Sequence, residues 1–295
     1  MTAHTQPSER LEGAAYRTRT GEQVILRHCR GLAEFEACVL LQRQTWGTHD
    51  LEVTPRKSFM LAQELGGQVI GAFDQSGRMV GMVMAMAALE SSTAPAYDLP
   101  KPYLHSHMLA VVPEYRNQGL GARLKLVQRE DALARGIERM TWTFDPLAAK
   151  NAYLNLHRLG AIARRYSPDF YGVSSSRLQA GLPTDRLHAD WWLASARVRA
   201  CVDAIAGSKV LAEARELSED DAIESSAQAI SLPVEVETWK QESTGVEKVR
   251  AVQSTNRALF LDAFAQGLAV TDFCTNVRGD GMYKLAAWHP KDARP

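Results

Sequence analysis

The chain has 295 residues, a length that sets two domains as the prior. Its 34 Lys and Arg balance 34 Asp and Glu, so it lacks the basic footprint of a duplex-binding protein and has no polybasic run to hold an anionic membrane. Hydrophobic residues at 45% and charged residues at 23% are those of an ordinary folded globular chain. Residues 1–10 are polar, without the apolar stretch of a signal peptide, and the best apolar run, 79–89, has the length of a strand and not of a membrane span. Cys29, Cys38, Cys201 and Cys274 stand alone, with no Cys-x-x-Cys pair, and read as free thiols, most simply buried ones. No metal site and no disulfide framework is expected, and the cytoplasm is the expected compartment.

In chain order, residues 1–16 read as a flexible leader. A strand is predicted over 23–27. A helix follows over 32–46, where Leu32, Phe35, Cys38, Val39 and Gln42 step by three or four. Pro55 opens a second short helix that closes at Gly66-Gly67. Residues 69–73 and 78–88 form a hairpin around Asp74-Gln75-Ser76-Gly77, with Met82, Met84 and Met86 on one face as core packing. After a loop at 95–100, a strand runs over 103–112 to Pro113, and an amphipathic helix runs from Gly119 to Arg135, ended by Gly136. Then come a strand over 138–144, a helix over 148–159 closed by Gly160, and strands over 161–166 and 185–193. Residues 17–193 therefore read as one mixed α/β domain. Residues 194–232 read as a helical connection, acidic and serine-bearing at 213–226. Residues 233–295 read as a β-α-β-β unit with a strand at 234–237, a helix at 246–266 and strands at 268–274 and 282–288. That unit is small for an independent domain and is expected to pack on the first domain or on a partner chain, which leaves a homodimer open.

The chemistry concentrates in Leu109-Ala110-Val111-Val112-Pro113-Glu114-Tyr115-Arg116-Asn117-Gln118-Gly119-Leu120-Gly121-Ala122-Arg123. Physically it is strand, tight turn, helix. Gly119 and Gly121 remove side chains where a ligand must approach backbone. The first helical turn offers unpaired amides and the positive end of the dipole, an anion site suited to a pyrophosphate, with Arg116 and Arg123 adding charge. A dinucleotide fold would need a third glycine at position 124, which is leucine.

The full string resembles the coenzyme A-binding motif of the GNAT superfamily of N-acyltransferases, Arg/Gln-x-x-Gly-x-Gly/Ala after the fourth strand of the fold: here Arg116-x-x-Gly119-x-Gly121, preceded by Leu109-Ala110-Val111-x-Pro113. The resemblance covers roughly residues 23–193. It implies a GNAT-like α/β fold with a smaller C-terminal unit, and acyl-CoA, acetyl or succinyl, as co-substrate. It also implies a cofactor-binding set of Leu109, Ala110, Val111, Arg116, Asn117, Gln118, Gly119, Leu120, Gly121, Ala122 and Asn151. The amides around 109–111 would hold the pantetheine arm and polarise the thioester carbonyl.

The family's helix pattern Asn-x-x-Ala-x-x-x-Tyr-x-x-x-Gly-Phe fits less well. Ala152 and Gly160 align, the asparagine is displaced to Asn151, the tyrosine slot holds Leu156 and the phenylalanine slot Ala161. In the family that tyrosine often protonates the departing thiolate. Tyr153, one turn earlier, and His157, next to the slot, are the rival donors here. The slot often filled by a glutamate base is His107, whose ordinary pKa near 6.5 suits a general base. His105 shares its face by strand alternation and is a candidate substrate contact. Arg186 is a candidate carboxylate grip.

Together with Asp169-Phe170-Tyr171-Gly172, Asp185-Arg186-Leu187 and Val270-Thr271-Asp272-Phe273, the chain looks like a bacterial subgroup of predicted GNAT acyltransferases with an added C-terminal element, some members of which are linked to N-succinylation of amino acids. The expected function is therefore transfer of an acetyl or succinyl group to the amine of a small molecule, such as an amino acid, by direct attack in a ternary complex. The alternatives are a non-catalytic CoA-binding sensor or assembly subunit, motivated by Leu156, and a protein-lysine acceptor.

Overall fold

The computed structural model describes residues 13–47, 49–90, 100–172, 174–176, 179, 181–207, 229–242 and 244–289. Residues 1–12 of the expected leader, most of the loop at 95–100 and the acidic stretch 213–226 lie outside them. The chain divides into two compact units, Met1–Thr141 and Trp142–Pro295, with the boundary inside one strand. Among the described residues no helix is long and apolar enough to cross a membrane.

The first unit holds β1 (Ala14–Arg17), β2 (Gln23–His28), α1 (Gly31–Trp46), α2 (Arg56–Glu64), β3 (Gln68–Phe73), β4 (Met79–Leu89), β5 (Pro102–Val111), α3 (Leu120–Ala134) and the start of β6 (Arg139–Phe144). Its strands lie in the order β1-β2-β3-β4-β5-β6, antiparallel throughout except that β5 and β6 run parallel. β1 was expected as the end of the leader; instead Ala14–Arg17 pairs with Gln23–Leu26. The β3–β4 hairpin turns as expected, because Asp74 Oδ1 accepts from the Ser76 and Arg78 amides at 3.0 Å each and Gly77 supplies φ +83°. Of the methionine stripe, Met82 and Met84 are fully buried but Met86 is 37% exposed, since the core ends before the strand does.

Helix α3 explains much of this unit's order. Leu120, Leu124 and Val127, spaced as i, i+4, i+7, bury their side chains against the sheet. A second stripe, Lys125, Gln128 and Asp131, is buried too and is polar. Lys125 Nζ donates to Ser106 Oγ at 2.6 Å, and Ser106 donates to Gln128 Oε1 at 3.0 Å. Asp131 is met by His28 Nε2 at 3.4 Å, Gln68 Nε2 at 2.7 Å and Arg135 at 2.8 Å. A lysine at a core-facing position is costly as an ammonium, and burial pulls its pKa down to about 7. The unfolded chain holds that proton up to about pH 10.4, so between about pH 7 and 9 the unfolded state binds more protons and stability rises with pH. Lys125→Met should flatten that rise; urea melts of both proteins across the window measure it, and equal slopes would refute a buried, titrating lysine.

Cys29 and Cys38 are buried, as expected of free thiols, but they do not stand alone: their Sγ atoms lie 3.9 Å apart. Contact with Cys38, then burial, pushes the Cys29 thiol well above its ordinary value.

The second unit holds the end of β6, α4 (Ala149–Ala152) running into a π-helical turn (Tyr153–Arg158), β7 (Ile162–Ser167), β8 (Arg186–Trp192), α5 (Ala196–Gly207), β9 (Ala229–Leu232), α6 (Val236–Trp239), α7 (Val246–Ala265), β10 (Leu268–Thr275) and β11 (Gly281–Ala287). The strands β8-β7-β10-β11-β9 form an antiparallel ladder in that order, with Val270 of β10 opposite Ala163 of β7. The strand expected at 234–237 is instead β9, five residues earlier. Pro233 cannot donate to a ladder, and its carbonyl accepts from the Val236 amide at 3.2 Å to start α6. The core is aromatic: Phe260 meets Tyr283 edge-on at 5.2 Å and stacks on Tyr166 at 5.5 Å, while Phe273 meets Tyr283 at 4.7 Å. Asp185 lies beneath, fully buried, and accepts from Arg257 Nε and Nη2 at 2.9 Å each and from the Tyr166 hydroxyl at 2.5 Å.

Candidate active site

At the end of β5 the chain makes a single 3-10 turn, Pro113–Tyr115, and reaches α3 through Arg116, Asn117, Gln118 and Gly119. Asn117 has φ +58° and Gly119 φ +82°, two left-handed residues in three positions. This curls the backbone so that successive amides converge. Gly119 is the N-cap of α3, and no side chain caps the helix there. The amides of Leu120, Gly121 and Ala122 therefore have no partner within the helix and carry the positive end of its dipole. A Cβ at Gly121 would stand 3.5 Å from Leu109 Cδ2, so that position is close-fitting but not blocked.

The loop is braced from outside. Tyr16 donates to the Gln118 carbonyl and Thr20 to Gln118 Oε1, both at 2.8 Å; Gln118 Nε2 donates to the Glu114 carbonyl at 2.6 Å. Arg116 Nε donates to the Val111 carbonyl at 3.0 Å. The side chain of Gln118 thus serves the loop's shape, and Arg116 holds its start while staying exposed. Sequence reasoning missed Tyr16 and Thr20 because both lie about a hundred residues away. The donor set suits an anion: several fixed amides, an arginine, and no carboxylate within the curl itself.

β5 carries the second feature. It pairs with β6 at Leu104↔Met140 and His105↔Thr141, and among the described residues the β6 ladder does not extend to Leu109, Ala110 and Val111. On its other edge the β4–β5 register jumps from Met84↔Met108 to Ala85↔Ser106, which makes His107 the extra residue of a bulge. Ser106 is buried beneath, while His107 is exposed. Its ring centroid lies 6.5 Å from that of His105, whose Nδ1 meets Thr141 Oγ1 at 3.0 Å. Although His107 reaches the surface, protein crowds it on several sides, and that desolvation lowers its pKa from the ordinary 6.5. It is neutral at pH 7, with a lone pair to take a proton.

In the second unit, Asn151 is exposed on α4 and Leu156, in the slot of the family's tyrosine, is fully buried. The expected helix over 148–159 widens instead into the π turn, with Leu159 N donating to the Leu154 carbonyl at 2.9 Å. Tyr153 and His157 come together, their rings stacked at 4.9 Å, and His157 Nδ1 lies 3.0 Å from Asp272 Oδ1 on β10. The sequence named Asp272 only within the tail motif Val270-Thr271-Asp272-Phe273 and gave it no role at the site. Arg186 Nη1 donates to the Asp185 carbonyl at 3.2 Å, and its guanidinium lies 5.3 Å from the Tyr171 ring centroid. Among the described residues no group of three His, Cys, Asp or Glu side chains could hold a metal ion.

A strand, a left-handed glycine turn and an uncapped helix make a candidate anion site in a mixed α/β fold. Residues 35–160 match the model of the acetyltransferase (GNAT) family. Solved structures with a similar fold include the ribosomal-protein-S18-alanine N-acetyltransferase from Escherichia coli, at 15% identity over 59% of this chain and 96% of that one, with a TM-score of 0.45. They also include a putative acetyltransferase from Salmonella typhimurium with its cofactor acetyl-CoA, at 18% identity, 58% and 94% coverage and a TM-score of 0.45. A third is a GNAT family acetyltransferase from Elizabethkingia anophelis with acetyl-CoA bound, at 12% identity, 57% and 97% coverage and a TM-score of 0.40. No curated protein matches the chain.

Proposed function

We propose that the chain is an acyl-CoA-dependent N-acyltransferase acting on the amine of a small molecule, with an acetyl or succinyl group as the acyl unit. The observation that carries this is the β5-to-α3 junction, where Gly119 at φ +82° opens an uncapped helix N-terminus. Leu120, Gly121 and Ala122 would hold the diphosphate by their amides, with Arg116 adding charge and Asn117 shaping the curl. Leu109, Ala110 and Val111 would hold the pantetheine arm by the backbone of β5. Acyl-CoA, when bound, supplies the acyl group as an activated thioester.

His107 accepts the amine's proton as the amine attacks the thioester directly in a ternary complex. Tyr153 and His157 are the candidates for proton donation to the leaving sulfur. Arg186, beside Tyr171, would favour an acceptor that bears a carboxylate.

Calorimetry with acetyl- and succinyl-CoA, followed by thiol release against pooled amines, tests the reading. Amine-dependent release supports it; tight binding without turnover would favour the sensor reading, which the buried Leu156 motivates. His107→Ala should lower kcat/KM by about 10²–10⁴-fold near neutral pH. The wild-type profile should fall as pH drops through a value below 6.5, where the imidazole protonates, and the variant should lack that inflection. An identical inflection in the variant would remove His107 from the base role.

A further inference from the structure

In the β7–β8 ladder Arg165 lies opposite His188 and Ser167 opposite Arg186. Positions two apart share a face, so all four side chains stand on one side of the second unit's sheet. Tyr166 faces the other side, where it stacks on Phe260 of α7. Arg165 Nη2 donates to His188 Nδ1 at 2.6 Å, and His188 Nε2 lies 2.8 Å from Ser167 Oγ. A guanidinium can only donate, so Nδ1 accepts, the ring proton sits on Nε2, and Ser167 Oγ receives it. The Ser167 hydroxyl keeps its own proton to give outward. His188 is buried while Arg165 is exposed, so the surface groups are held from beneath.

Two cations stand here without a counter-charge. Among the described residues neither Arg165 nor Arg186 makes an ion pair: Asp185 is taken by Arg257, and Asp190, further along β8, is met by Arg164 at 3.5 Å. An apolar wall adjoins these donors. Phe170 and Tyr171 are half-exposed and meet edge-on at 4.7 Å. Phe170 also meets the His188 ring edge-on at 5.3 Å, and Tyr171 lies beneath the Arg186 guanidinium.

The turn that presents the two rings is fixed several times over. Asp169 takes a left-handed φ of +43°, uncommon outside glycine. Its Oδ1 accepts from the Thr184 amide at 3.0 Å, and its amide donates to Asp185 Oδ1 at 2.9 Å. The Phe170 amide donates to the Thr184 carbonyl and the Tyr171 amide to Thr184 Oγ1, both at 2.9 Å. Backbone strain of this kind persists only where the surroundings impose it, and it concentrates at ligand sites. The segments Asp169-Phe170-Tyr171-Gly172 and Asp185-Arg186-Leu187, conspicuous in the sequence, thus meet at one place.

We propose that this face of β7 and β8 binds a small carboxylate that has a planar apolar body. Arg165, Arg186 and the Ser167 hydroxyl take the carboxylate oxygens, since a planar guanidinium matches a planar carboxylate. The apolar body lies against Phe170 and Tyr171, where removing carbon from water adds affinity. The site shares Arg186 with the acyltransfer reading but requires neither acyl-CoA nor turnover.

Benzoate is the probe, titrated into the full-length protein and followed by NMR. Binding should saturate. Benzyl alcohol, with the ring and no charge, should bind at least about 10-fold more weakly, and acetate, with the charge and no ring, should also bind more weakly. Arg165→Gln and Arg186→Gln should each weaken benzoate at least about 10-fold, as for a lost hydrogen bond to a charged group. Phe170→Ala should weaken benzoate and leave acetate unchanged. Benzoate that fails to saturate would overturn the proposal, as would benzyl alcohol or acetate binding as tightly as benzoate. Inorganic phosphate binding as tightly as benzoate would overturn the carboxylate assignment. Should Arg165→Gln fail to fold, Arg186→Gln decides, and unchanged benzoate affinity there overturns the proposal. A failure here leaves the acyltransfer reading standing on the β5-to-α3 junction, and a protein that never releases thiol leaves this site standing.

Discussion

Arg257→Met should destabilise the second unit by about 3 kcal/mol, the lower end of the range for removing one partner of a buried ion pair. Asp185 is fully buried and receives two hydrogen bonds from Arg257, with Tyr166 and the Asp169 amide as its other donors. Removing the guanidinium leaves a carboxylate without its counter-charge in a site that water does not reach. The Arg257 side chain is itself 33% exposed, which weakens the pair's Coulomb energy and is why the lower end applies. The same geometry predicts a rescue: Asp185→Asn in the Arg257→Met background removes the orphan charge while keeping an acceptor for the Tyr166 hydroxyl, and should recover a large part of the loss. Urea unfolding followed by tryptophan fluorescence, with Trp191 fully buried in this unit, measures both. If the single variant costs less than about 1 kcal/mol, in the range of exposed pairs, the pair is not the anchor described.

Gly119→Val should weaken acetyl-CoA binding at least about 100-fold, equivalent to roughly 2.7 kcal/mol. Two effects combine. A left-handed φ of +82° costs an L-residue about 1–2 kcal/mol, more for a β-branched one. Relief of that strain would also rotate the amides that converge on the anion. The control is Gly136→Val at the other end of the same helix, also left-handed at φ +73° and with open space around its Cβ position. It imposes comparable strain on α3 while leaving the cradle intact, so its affinity should stay at the wild-type value. Equal losses in the two variants would attribute the effect to general destabilisation; undiminished affinity in Gly119→Val would remove the junction from the binding site.

The two variants also bear on what can be read without a structure. Gly119 was visible in the sequence because a glycine between a strand and a helix answers a local demand, φ above zero where backbone must be approached. Arg257 looked like any helical surface arginine: its partner lies 72 residues away. His107 was recognised by its slot, but its placement in a bulge depends on a register jump against β4 that alternation along one strand cannot foretell. Lys125 was passed over altogether, since lysine on an amphipathic helix normally faces water, and only the polar stripe through Ser106 and Gln128 makes its burial tolerable.

By itself the amino-acid sequence determined the order of most elements, the candidate anion-binding junction and the leucine at position 156. These follow from periodicity, capping and glycine geometry, which act within a turn or two of the chain. The tertiary structure alone decided that Asp272 meets His157 across 115 positions, that the turn beneath widens to a π helix held by Arg197, and that Asp185 is paired. Such contacts are selected by burial: once the strands of the second unit close over their aromatic core, each carboxylate left inside must find a donor wherever the fold brings one, however distant in sequence.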